Sequence, residues 1–113
     1  MKEKTSFVIP ETFEVFGRTV NVIICEEINE KESCYGYCDY TISTIYINKK
    51  VIIDNQIREV CKDLMYQTYL HEKVHMMLDA INEHKLSQNE KFVDNLAGIM
   101  HQVEKTSKGS LKY

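Results

Sequence analysis

The feature that most restricts the fold is a helix-length stretch free of proline and glycine, residues 56–82, carrying His71-Glu72-Lys73-Val74-His75. Histidines four apart lie on one face of a helix, one turn from each other. That spacing lets both imidazoles reach one metal ion, and Glu72 between them can take a proton from a water that the metal activates. The HExxH pattern fixes only three positions, so the competing reading is a helix with two surface histidines and an ordinary glutamate. The neighbours argue against that reading. Tyr69, Leu70, Val74, Met76, Met77, Leu78 and Ile81 make this helix largely apolar and hence buried. Histidines and a glutamate in such surroundings are costly without partners.

Ile57, Val60, Cys61, Leu64 and Met65 recur at helical spacing, and Thr68, His71, His75 and Leu78 continue the same side. The expected helix therefore covers about 56–82, with Asp54 or Asn55 as N-cap. Asn82-Glu83-His84-Lys85 closes it and Ser87 opens a second helix over about 88–104. Phe92, Leu96, Ile99 and Val103 form that helix's core stripe, widened by Val93, Ala97 and Met100. Upstream, Phe13 to Phe16 reads as a short strand, Gly17-Arg18 as a two-residue hairpin turn, and Thr19 to Cys25 as an alternating strand. Glu26 to Glu32 is an acidic loop or helical turn, and Ser33 to Tyr40 a tyrosine-dense turn around Gly36. Thr41 to Asn48 is a β-branched and aromatic strand, followed by the brief apolar run Val51 to Ile53. The pattern predicts an α+β fold, a small three-stranded sheet packed on two main helices. Its core spans about 7–104 of a single domain, 1–113, and residues 105–113 form a frayed tail.

A chain of 113 residues supports one hydrophobic core. A net charge of −3 gives no footing for nucleic acid. No apolar run has membrane-spanning length, and Met1 to Ser6 lacks the apolar centre of a signal peptide, so a cytoplasmic protein is expected. Cys25, Cys34, Cys38 and Cys61 contain no CxxC pair and read as thiols without function in a reducing compartment.

A catalytic zinc needs a third protein ligand, and His84, Glu90 and His101 are the candidates. A metzincin site would need glycine at Leu78 and histidine at Ile81 and is excluded. His101 lies about 16 Å along the helix from Glu90, too far to share its metal, and reads as an ordinary histidine near a helix C-terminus. Glu90 and Asp94 share one helical face, so a ligand and a carboxylate supporting a ligand can point at one place. Glu90 has a second reading: in Ser87-Gln88-Asn89-Glu90 it completes a capping box.

Asn89-Glu90-Lys91-Phe92-Val93-Asp94 is similar to the NExxxD pattern that follows HExxH in thermolysin-like gluzincins. With the element order, it makes the chain resemble the small gluzincin-type zinc metallopeptidases of phages and bacteria, the minigluzincins that include ImmA/IrrE-like peptidases. The resemblance implies that His71, His75 and Glu90 hold one Zn²⁺, that Asp94 orients His71, and that Glu72 is the catalytic base of peptide-bond hydrolysis. It also implies a peptide or protein substrate, paired with the strand Thr41 to Asn48 as the sheet edge. A zinc-stabilised, non-catalytic binding module with an occluded site is the alternative.

Overall fold

The computed structural model describes residues 8–27 and 35–113. Most of the acidic stretch Glu26 to Glu32, together with Ser33, Cys34 and the N-terminal residues 1–7, lies outside the described residues. The fold is α+β, built among the described residues from six strands in two small sheets and three helices. Strand β1 (Thr12–Val15) forms a hairpin with β2 (Arg18–Cys25), in which Val15 pairs with Arg18. The turn is therefore Phe16-Gly17, one residue earlier than Gly17-Arg18, with φ of 49° and 75°. Two left-handed central residues match the twist of the strands they join, and glycine takes the second position without strain.

The main sheet has four strands, not three, because part of the tyrosine-dense segment is itself a strand, β3 (Gly36–Asp39). A 3₁₀ turn (Tyr40–Ile42) then leads into β4 (Thr44–Asn48). Asp39 caps this turn by accepting from the Thr41 N–H at 3.0 Å. Arg18 clamps it from β2, donating to the Ser43 hydroxyl and the Tyr40 carbonyl, with its guanidinium 4.1 Å from the Tyr40 ring centroid. The strand order is β1-β2-β4-β3, with β4 parallel to β2 and antiparallel to β3. Thr41 to Asn48 is consequently no edge: its β4 portion is hydrogen-bonded on both sides. Among the described residues the free edges of this sheet belong to β1 and β3.

The helix expected from residue 56 starts later. Lys50–Ile53 (β5) and Gln56–Glu59 (β6) make a separate hairpin, with Asp54 and Asn55 at φ of 52° and 61°. Asp and Asn serve equally as helix N-caps and as left-handed turn residues, and the β-branched Ile52–Ile57 pair favours the second use. Helix α1 spans Lys62–Ala80 and ends at Asn82, at φ 62°. There the Glu83 N–H bonds the Leu78 carbonyl and the Asn82 N–H bonds the Asp79 carbonyl, a Schellman closure. A short helix, α2 (His84–Ser87), connects to α3 (Glu90–Thr106).

The core is layered. Val20, Ile45 and Ile47 point from the sheet to α1, and Val93 and Ala97 reach α1 from α3. Met65, Tyr69, Leu70, Val74, Met76 and Leu78 fill the space between. A helix covered by the sheet and by another helix must be apolar around most of its girth, as α1 is. Helix α3 is covered on one side, and the buried side is the expected widening, Val93 and Ala97 with Leu96 and Met100 packed beside them, more than the expected stripe itself. Val93, Ala97 and His101 are buried, whereas Phe92, Ile99 and Val103 are 37%, 59% and 58% exposed. No helix among the described residues is long and apolar enough to cross a membrane.

Candidate metal centre

Helix α1 carries His71 and His75 on the side that faces α3, one turn apart, with their ring centroids 4.9 Å apart. The first turn of α3 meets them. Glu90 places one carboxylate oxygen 3.2 Å from His71 Nε2 and the other 3.2 Å from His75 Nε2. The two Nε2 atoms are themselves 3.2 Å apart. Glu90 can point there because the cap of α3 is Asn89, whose side chain accepts from the Phe92 N–H at 3.1 Å. Glu90 is thus the first helical residue, and the capping box Ser87 to Glu90 does not form.

The far side of each ring is also occupied. Asp94, one turn beyond Glu90, lies 2.7 Å from His71 Nδ1. The hydroxyl of Ser87 lies 3.3 Å from His75 Nδ1 and donates to the His75 carbonyl at 3.4 Å. Both partners call for a proton on Nδ1, which fixes the tautomer by hydrogen bonding and leaves each Nε2 a bare lone pair. Two lone pairs and a carboxylate then face one another at 3.2 Å. Such a cluster of acceptors is repulsive unless a cation or extra protons lie among them.

The spacing and chemistry fit zinc. Nitrogen and oxygen ligands about 2.0–2.1 Å from a tetrahedral ion stand roughly 3.3 Å from each other. His71, His75 and Glu90 are the group among the described residues whose donor atoms lie close enough to share an ion. The other candidates are elsewhere. His84 Nδ1 is 3.0 Å from Asp79 on the exposed end of α1. His101, near the C-terminus of α3, is buried and tied to Asp63 at 3.1 Å.

Glu72 follows His71 by one residue, about 100° around the helix, and so turns toward the sheet. It is 7% exposed, with its carboxylate 3.9 Å from His71 Nε2. Burial raises its pKa to about 7. His75 and a hydrogen bond from the Cys38 thiol pull it down, and Glu90 and Asp94 push it up. Beside it lies a cleft of about 270 Å³, bordered by Tyr35, Gly36, Leu64, Gln67 and Thr68 as well as His71, Glu72 and Asp94. Gly36 is required at this border: a Cβ there would lie 2.6 Å from the Tyr46 carbonyl and 2.7 Å from the Thr68 side chain.

Sequence reasoning had no place for Ser87 or Cys38 in the site. Ser87 carried a helix-start signal that masked its contact with His75. Cys38 reads in the sequence only as a thiol without function, although it stands two residues from Gly36 on the same strand face. No family model, curated protein or solved structure matches the chain.

Proposed function

We propose that the chain is a zinc-dependent peptidase of the gluzincin type, working in the cytoplasm. The observation that carries this reading is the convergence of three electron-pair donors, two of them imidazoles whose tautomers are set from behind. His71, His75 and Glu90 would hold the ion, while Asp94 and Ser87 would keep the two rings turned toward it. Zinc bound there supplies Lewis acidity, which lowers the pKa of water and polarises a scissile carbonyl. Glu72 is suited to the proton transfers. Its buried carboxylate, 3.9 Å from His71 Nε2, would take a proton from the attacking water and return it to the leaving amine.

Among the described residues the free edge nearest the site is that of β3, whose Gly36 borders the cleft. An extended peptide added to that edge would run past His71 and Glu72, with its main chain bonded to β3 and a side chain in the cleft. The free thiols Cys25, Cys38 and Cys61 accord with a reducing compartment.

The test is metal analysis of the purified chain together with hydrolysis of casein by wild type and Glu72→Gln. Bound zinc in both proteins, with hydrolysis only in wild type, is expected. Zinc without hydrolysis in wild type would replace the peptidase by a zinc-stabilised binding module. Absence of bound zinc would overturn both.

A further inference from the structure

The sheet side of Glu72 is occupied by β3, and the register of that strand on α1 is closely set. Tyr37 turns away from α1 and stacks on Tyr46, with ring centroids 4.6 Å apart. Gly36 and Cys38, on the opposite face of the strand, turn toward α1. Gly36 sits against Thr68, where no larger residue fits. Two residues along the strand advance about 7 Å, close to the roughly 6 Å between Thr68 and Glu72 on the helix. Cys38 therefore arrives at the buried Glu72, packed against the core, with its thiol on the side of the strand that faces the carboxylate.

We propose that Cys38 is a positioning residue: its thiol holds the Glu72 carboxylate in the orientation required for proton transfer. The inference rests on the peptidase reading for its consequence, but not for the contact itself. A thiol suits this task for two reasons. Burial and the neighbouring Glu72 push Cys38 up to about 12, so it stays a neutral donor throughout the working range. An S–H is also a weak donor, which orients a carboxylate without the loss of basicity that an arginine or several backbone N–H groups would cause. The donor comes from β3, so a peptide added to that strand would be tied to the strand that holds the base.

The S–H stretch tests this directly in the full chain. Subtracting the infrared spectrum of Cys38→Ser from that of wild type isolates the Cys38 band. It should lie below the band of exposed Cys61 and move up in Glu72→Leu, which removes the acceptor. Glu72→Gln, which keeps a weaker acceptor and the shape of the side chain, should give a smaller upward shift. A Cys38 band at the Cys61 position, unmoved by either Glu72 variant, overturns the proposal.

Turnover of casein by the zinc-loaded protein gives the second arm. Cys38→Ala should lower kcat roughly tenfold with KM unchanged, and Cys38→Ser should restore most of it. Equal turnover in the two variants also overturns the positioning role, since a packing defect alone would not be repaired by a hydroxyl. Wild type that cleaves nothing, while the Cys38 band still responds to Glu72→Leu, counts against the peptidase reading and leaves the contact standing.

Discussion

Two sets of histidine–carboxylate contacts join α3 to α1, and they differ in how donors and acceptors balance. Near the start of α1, His101 Nε2 lies 3.1 Å from Asp63, and Lys105 approaches the same oxygen at 3.8 Å. There a ring nitrogen and an ammonium group both face one carboxylate oxygen, so the acceptor meets groups that can donate to it. Farther along α1, His71 and His75 spend their Nδ1 protons on Asp94 and Ser87, and their remaining nitrogens face Glu90 with nothing to donate. Both sets join well-covered rings to more exposed carboxylates at similar distances. The surplus of acceptors distinguishes a place for a cation from an interhelical tie.

The largest effect expected from breaking this contrast comes from His71→Ala or His75→Ala, and nearly as much from Glu90→Gln. Each should abolish or sharply weaken zinc binding and remove the stabilisation that zinc confers, because metal binding energy is also folding energy. Zinc content and thermal melts with and without chelator report it; variants with wild-type zinc content would contradict the assignment. Glu72→Gln should leave zinc in place and reduce casein turnover by about 10²–10⁴-fold, the usual contribution of a general base.

The metal-free protein offers a pH test. Folding raises the Glu72 carboxyl from 4.5 to about 7 and so favours its protonated form. That contribution is fully present below about pH 4.5 and is lost as pH rises through 7, roughly 3 kcal/mol in all. Glu72→Gln stays neutral, so its stability relative to wild type should grow over this window. Urea melts of the two metal-stripped proteins measure it, and a constant difference would refute the burial argument. Asp94→Asn should weaken zinc binding by about 10–100-fold without abolishing it, as loss of a ligand-orienting partner does. The smallest effect sharpens the comparison from the other side. Asp63→Asn should cost about 1 kcal/mol, because Asp63 is half exposed, and should leave zinc affinity unchanged.

Local spacing already determined much of the molecule. Residues 71 and 75 share one helical face, 90 and 94 share another, and Asn82 with the short connection makes the helices antiparallel. Period-two alternation likewise announced β2. These features depend on residues within a turn or two of each other, and such neighbours are fixed by backbone geometry alone.

Tertiary structure decided what had two local solutions. Asp54-Asn55 could cap a helix or turn a hairpin, and pairing of Ile52 with Ile57 selected the hairpin. Helix α3 has two apolar stripes, and the buried one shares its face with Glu90 and Asp94, so packing on α1 and the meeting with His71 and His75 use the same side of the helix. The same choice leaves Phe92, Ile99 and Val103 facing out. The order of the sheet, which puts β4 inside and β3 at the edge, rests on hydrogen bonds between distant segments. So do the contacts of Ser87 with His75 and of Cys38 with Glu72. A serine before a helix and a cysteine in a strand are locally ordinary. Only long-range packing sets which partners they meet, because side-chain contacts across the core depend on strand order and helix rotation, which neighbouring residues do not encode.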